Sequence, residues 1–394
     1  MTGRKTALGE LFRIGSSKRV LQSQWTTEGV PFYRGREITR LAADGFVDNA
    51  LFITEDLYAE FAARYGVPSA GDIMITAIGT IGNSHIVQTD DRFYFKDASV
   101  LWLKKSADVN SEFVNWWLKS PLFFDQLDRG NGATVDTLTI QKLQSVLVDL
   151  PSPEEQHRIV AILDATFDGI ATAKANAEQN LQNARALFES HLQSVFTRRG
   201  EGWVEKRLSD VCAITSTLVD PRKDEFLDLT HVGAGNIESQ TGVFVELKTA
   251  REEGLISGKF LFDESMVLYS KIRPYLMKVA RPDFNGLCSA DMYPLAPLPN
   301  EITRDYLFHL LLSKPFTDYA IQGSARAGMP KVNREHLFGF QVWLPGVGKQ
   351  KELSEKLDAL HDETQRLESL YQQKLTALDD LKESLLHQAF SGQL

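Results

Sequence analysis

"LFESHLQSVF" (Leu187–Phe196) and "LKESLLHQAF" (Leu381–Phe390) share five of ten positions, at a constant offset of 194 residues. The correspondence extends upstream. Leu150-Pro151, Gln156 and Leu163-Asp164 recur as Leu344-Pro345, Gln350 and Leu357-Asp358. "LKSPLFFDQ" (118–126) pairs with "LLSKPFTDY" (311–319). "GDIMITAIGTIG" (71–82) pairs with "DESMVLYSKIRPYL" (263–276) at an offset of 193, and "LGELFRIGS" (8–16) with "LSDVCAITS" (208–216) at 200. A period this long excludes a solenoid and points to tandem duplication, with the drift taken up by loops. Each half reads as a globular block followed by a long helix. The expected segments are 1–150, 151–199, 200–345 and 346–394.

Both helical segments carry an apolar seam. Ile159, Leu163, Thr166, Ile170, Ala173, Ala177, Leu181, Ala184, Leu187, His191 and Val195 recur at spacings of mostly three and four. Leu353, Leu357, Leu360, Thr364, Leu367, Tyr371, Leu375, Leu378, Leu381 and Leu385 do the same. A period near 3.5 over more than four heptads predicts coiled-coil helices, each of roughly 40 residues and so ~60 Å long. The first seam is Ala-rich and the second Leu-rich, which suits close mutual packing. Chain order then makes the pair antiparallel, with a pseudo-two-fold relation between the halves. Heptads alone also fit a plain dimerisation rod. Ile159, Leu163, Ile170, Leu187, Leu353, Leu357, Leu367 and Leu381 are the expected helix-packing and docking residues.

The blocks read as mixed α/β. Alternating strands are expected at 144–151 and 338–345, and amphipathic helices at 111–120 and 304–313. Phe113, Trp116, Trp117, Tyr306 and Phe308 on those helices read as core. Net charge is −9, which taken alone argues against a nucleic-acid binder. Its distribution matters more. The helical segments 154–196 and 349–394 each carry −3, whereas 1–153 and 197–348 carry only −2 and −1.

Loops at matched positions are basic or rich in short polar side chains. "FYRGREITR" (32–40), "AIGTIGNSH" (77–85) and "RGNGATVDT" (129–137) lie in the first half. "SKIRPYLMK" (270–278) and "GSARAGMPKVNR" (323–334) lie in the second. Free amides and Lys bind phosphate, while Arg, Asn and Gln read base edges. Each loop taken singly also fits an ordinary solvated turn. The candidate DNA contacts are Arg34, Arg36, Thr76, Thr80, Asn83, Arg129 and Asn131, then Lys271, Arg273, Tyr275, Lys278, Arg326, Lys331 and Asn333.

Catalytic signatures are missing. The chain contains no GxxxxGK[ST] loop, HExxH or GxSxG elbow, and "GAGNIE" (233–238) is not GxGxxG. The eight histidines are scattered, and His231 and His336 read as surface or loop residues. Cys212 and Cys288 read as buried reduced thiols of a cytoplasmic protein. No apolar run approaches the roughly 18 residues of a membrane span, and no signal peptide is evident at the N-terminus.

Two variable blocks, each followed by Leu150-Pro151…Glu155-Gln156…Ile159…Leu163-Asp164 or its copy, and closed by Leu381…Ser384-Leu385-Leu386…Phe390-Ser391-Gly392, resemble the specificity subunit of type I restriction–modification enzymes. The loops at 71–82 and 266–279 also resemble those of that family's target recognition domains. One departure is "LPGVGKQ" (344–350), where Gly-Val-Gly-Lys replaces the usual acidic run. The resemblance implies two α/β target recognition domains on an antiparallel coiled coil, each reading half of a bipartite site in double-stranded DNA. It implies two methyltransferase subunits and restriction/translocase subunits as partners. S-adenosylmethionine, ATP and Mg would sit on those partners, with no cofactor, metal or catalysis in this chain. The competing expectation is a coiled-coil scaffold with two protein- or peptide-binding domains.

Overall fold

The computed structural model describes residues 4–127, 137–324 and 330–394. It divides into two compact units, Met1–Glu178 with Gln373–Leu394, and Gln179–Gln372. Each unit takes part of both long helices, Pro153–Thr197 and Val347–Phe390. Among the described residues no helix is long and apolar enough to cross a membrane.

Both units are built on one plan. In the first, a four-stranded antiparallel sheet runs in the order Phe12–Gly15, Val100–Lys105, Ile73–Thr76, Ser84–Ile86. In the second, Cys212–Ala213, Met292–Pro297, Val267–Ser270 and Val279–Ala280 repeat that order. Each unit adds a second sheet with one parallel pairing: Val30–Tyr33 on Tyr94–Phe95, and Thr230–Val232 on Gly286–Cys288. A two-stranded ribbon closes each block where the long helix begins, Arg4–Ala7 with Leu147–Leu150 and Val204–Arg207 with Gln341–Leu344.

The register of the repeat is legible in hydrogen bonds. Leu8 N donates to Val146 O and Leu208 N to Phe340 O, keeping the 200-residue offset. Ala77 N bonds Ser99 O as Lys271 N bonds Asp291 O, and Leu138 N bonds Ala77 O as Val332 N bonds Lys271 O. These pairs set the strands Ile73–Thr76 and Val267–Ser270 at an offset of 194, and Val100–Lys105 and Met292–Pro297 at 192. The first of these is one more than the 193 expected from residue matching, and the loop that follows is one residue longer in the second unit, where Ser270 N bonds Lys278 O as Thr76 N bonds Asn83 O.

Gln156 and Gln350 explain the repeated motif at the helix starts. Both are buried, at 2% and 1% exposure. Gln156 accepts from Asn110 N and donates to Pro151 O, each at 2.9 Å. Gln350 accepts from Thr303 N and donates to Pro345 O and Glu301 O, each at 2.9 Å. One side chain thus ties strand end, long helix and the short amphipathic helix together. An aliphatic replacement strands buried backbone groups, which cost about 1–3 kcal/mol each. Gln156→Leu and Gln350→Leu are each expected to destabilise their own unit by about 2–3 kcal/mol, read by urea unfolding with unit-resolved hydrogen exchange. A loss below 1 kcal/mol at both sites would remove this role.

Within each unit the helix pieces run antiparallel. In the first, Arg158 donates to Leu394 O and Lys174 pairs with Asp379. In the second, Arg185 pairs with Glu368 at 3.1 Å and the rings of Phe188 and His361 lie 5.0 Å apart. Ile159, Leu163 and Ile170 join the core under the first sheet, with Leu386, Ala389 and Phe390. Leu353 and Leu357 pack into the second core, and Leu367 is half-buried. Phe113, Trp117, Tyr306 and Phe308 are core residues, and Trp116 packs against Phe167.

Leu187 and Leu381 depart from the expected seam, being 61% and 44% exposed. The inward positions after Ala177 are Leu181, Ala184, Phe188, Leu192 and Val195. That is 3.6 residues per turn, so a straight helix drifts about 20° per heptad off a strict repeat, and over the four heptads from Ile159 to Leu187 the drift approaches one residue. The drift also turns His191 outward.

Candidate nucleic-acid interface

In the first unit the fully buried strand Ile73–Thr76 delivers the chain to a loop whose tip, Ile78-Gly79-Thr80, is exposed. Thr76 itself is 1% exposed. Its hydroxyl donates to Thr80 O and accepts from Asn83 N at 3.0 Å. Thr76 is therefore a brace inside the loop and is corrected from contact to scaffold; it ends a β-strand whose side chains are all covered. Asn83 Nδ2 donates to Thr39 Oγ1 at 3.0 Å, tying the loop to the helix Gly35–Asp44. The start of that helix abuts the loop: a Cβ on Gly35 would lie 3.8 Å from Thr76 Cγ2 and 4.0 Å from Ile78 O.

Arg34 and Arg36 flank Gly35 but behave differently. Arg34 forks onto Glu37 at 2.8 and 3.1 Å, and its backbone N–H bonds the same carboxylate. The Glu37 hydrogen bonds raise its pKa, so its charge is largely compensated. Arg36 and Arg40 are exposed, lie one turn apart on the same helix face, and have no ion-pair partner among the described residues. Arg40 was missing from the candidates; its i,i+4 spacing from Arg36 was the available signal. Arg129 and Asn131 lie outside the described residues, as does Arg326 in the second unit.

In the second unit the buried strand Val267–Ser270 feeds the loop 271–278. Lys271 donates to Ala290 O and approaches Asp291 at 3.7 Å, while Lys331 pairs with Asp291 at 2.9 Å. The Lys331 hydrogen bond lowers the Asp291 pKa; burial, then the neighbouring Lys331 charge, lowers that of Lys271. Asp291 thus clamps the two basic loops to each other. Lys278 donates its ammonium to Ala234 O at 2.6 Å. Asn333 accepts from His336 N at 2.8 Å and caps the helix Arg334–Phe338, so its side-chain oxygen has a structural partner. Arg273 and Tyr275 are exposed, Tyr275 at 50%. Arg334, absent from the candidates, lies over the rings of Phe260 and Tyr293 at 5.8 and 5.9 Å.

His231 also departs from expectation. It is 7% exposed, with Nδ1 2.9 Å from Glu253 Oε2, because it sits on a strand flanked on both sides within its sheet. His336 is half-buried and stacks on Tyr319, ring centroids 4.0 Å apart. Both thiols are buried and unpaired, and burial pushes each up to about 12.

Two units with one sheet order, each presenting loops from matched strand ends, define a duplicated α/β module on paired helices. The family described as type I restriction modification DNA specificity domain matches residues 4–183 and 200–377. The chain belongs to this family, which places its role in DNA sequence specificity. It is 29% identical over 319 residues to the type I restriction enzyme EcoDI specificity subunit of Escherichia coli, covering 73% of this chain and 70% of that one. Among solved structures, a chain from a type I R-M system studied for complex assembly and conformational transition aligns with a TM-score of 0.76. It has 16% identity and covers 100% of this chain and 99% of its own. The HsdS subunit from Thermoanaerobacter tengcongensis aligns at 0.65 and 18% identity, over 100% and 97%. At these identities the structural likeness is one of fold.

Proposed function

We propose that this chain is the non-catalytic specificity subunit of a type I restriction–modification complex. Each unit reads one half of a bipartite duplex site, and the long helices set the unread spacer. Two methyltransferase subunits carrying S-adenosylmethionine dock on the chain and methylate adenine. Restriction/translocase subunits, using ATP and Mg, complete the assembly in the cytoplasm. One observation carries this reading: the same loop-on-sheet framework occurs twice, with different residues at the tips. A constant scaffold with variable tips suits two half-sites of unlike sequence.

The test is single-molecule sequencing of host DNA with and without the gene. Loss of a bipartite methyladenine motif is expected; an unchanged methylome together with no salt-dependent duplex binding by the methyltransferase complex would favour the scaffold instead. Within the first unit, Arg36→Ala and Arg40→Ala are each expected to lower the slope of log affinity against log salt by about 1, if they neutralise phosphates. An unchanged slope in both would remove that helix from the interface.

A further inference from the structure

The loops 77–83 and 271–278 occupy the same place in the two units, yet they are built from different backbone chemistry. Thr76 N bonds Asn83 O across the first loop, and Ser270 N bonds Lys278 O across the second. The first loop makes its two left-handed turns at glycines, Gly79 with φ 77° and Gly82 with φ 95°. The second makes them at Arg273, φ 49° and ψ 62°, and at Met277, φ 45°. Arg273 is the 194-residue equivalent of Gly79. Arginine is disfavoured in this region because Cβ crowds the following carbonyl, and glycine escapes that crowding.

The conformation is over-determined by its surroundings. Arg273 N donates to Pro330 O at 2.8 Å, Leu276 N to Arg273 O at 2.9 Å, and Pro274, fixed in φ, is buried. Ile272 bridges Lys331 on the neighbouring segment. The strained arginine is therefore held rigidly, not tolerated in a loose turn. Among the described residues, none engages its side chain. Lys271 and Lys331 are engaged with Asp291, and Lys278 with a carbonyl. The guanidinium of Arg273 is exposed and has neither a carboxylate nor a carbonyl partner among the described residues. A residue kept in a disfavoured conformation, rigid and without a partner among the described residues, has the properties of a binding group prepared in advance.

We infer that Arg273 is a base-reading residue of the second half-site, with its guanidinium set to bind a guanine through O6 and N7 in the major groove. A free planar fork on a rigid loop matches that edge. The equivalent Gly79 carries no side chain, so the first half-site is read at this position through backbone and short side chains only. The two repeats thus recognise DNA with different chemistry from one framework. This inference rests on the DNA reading proposed above.

The test uses the full chain in complex with its methyltransferase and reads three variants. Arg273→Gly is expected to keep or raise the unfolding temperature, since it relieves the left-handed backbone. It is also expected to weaken binding to the cognate duplex roughly 10- to 100-fold, and to render one G·C position of the methylation motif degenerate. Arg273→Ala should lose binding equally and unfold at a lower temperature than the glycine variant. Arg273→Lys keeps the charge without the fork and should show the same degenerate position. Wild-type affinity and an unchanged motif in Arg273→Gly or Arg273→Lys would overturn the inference while leaving the broader reading intact. A wild-type complex without any bipartite motif would instead remove the reading on which it rests.

Discussion

Replacing both Leu187 and Leu381 with Asp is expected to abolish assembly with methyltransferase while the chain stays folded. These leucines are equivalent by the 194-residue repeat and are 61% and 44% exposed, so neither holds a core together. Two exposed leucines at one repeat position are apolar surface displayed where the intramolecular packing does not require it. Burying a leucine under a partner contributes about 1.5–3 kcal/mol, and forcing a carboxylate into the same apolar contact adds a desolvation cost of comparable or larger size. Two such sites together would shift association by more than about 5 kcal/mol, beyond a thousandfold. Each single Asp variant should stop at one methyltransferase per chain. Sedimentation and co-purification measure this, with the unfolding temperature as control. A normal two-methyltransferase complex from the double variant, at wild-type stability, would exclude this docking surface.

That prediction owes its clarity to a place where sequence periodicity misleads. The heptad register assigns Leu187 to the buried seam, but the helix keeps 3.6 residues per turn and hands that role to Phe188 and Leu192. Much else was legible. The duplication, the two long helices, the aromatic core positions and the paired Gln156 and Gln350 all follow from residue type and spacing, because apolar periodicity and one repeated polar residue report burial directly. The loops were less legible. Thr76 and Arg34 have the residue types of DNA contacts, yet Thr76 is consumed inside its own loop and Arg34 by Glu37. Residue type cannot tell an offered side chain from one already bonded, and that distinction is made by contacts between segments far apart in the chain. Left-handed φ at Arg273 is equally invisible, since arginine carries no signature of a conformation it normally avoids.

The repeat also places unlike chemistry at one position of the two long helices, which predicts unequal costs for one substitution. Asp164 accepts from Trp116 Nε1 at 2.8 Å. Its equivalent Asp358 accepts from His309 Nε2 at 2.8 Å and from both terminal nitrogens of Arg281, at 2.8 and 3.0 Å. His309 is 1% exposed and Arg281 lies over the Phe308 ring at 4.2 Å. Removing Asp164 leaves an indole N–H near the surface that can turn to water, costing about 1 kcal/mol. Removing Asp358 leaves a partly buried cation with Asp305 as its remaining carboxylate, and a buried imidazole N–H without an acceptor. Breaking a fully buried pair costs about 3–5 kcal/mol. Because the Asp358 side chain is one-third exposed, solvent screens part of this, and Asp358→Ala is expected to cost about 3 kcal/mol. Acid should act through the same group. Burial opposes the Asp358 charge, but the His309 and Arg281 hydrogen bonds overcome it and hold the carboxyl well below the usual carboxylate range. A depressed folded-state pKa contributes stability above the unfolded value near 4 and loses it as pH falls toward the folded value. His309 works in the same direction. Burial lowers its pKa, so below about pH 6.5 the unfolded chain takes up a proton that the folded site resists. Unit-resolved hydrogen exchange between about pH 7 and 2.5 should therefore show the second unit weakening first, through His309 below about pH 6.5 and through Asp358 below about pH 4, with that excess loss absent in Asp358→Ala/His309→Leu; equal acid sensitivity of both units would show that this network does not set it.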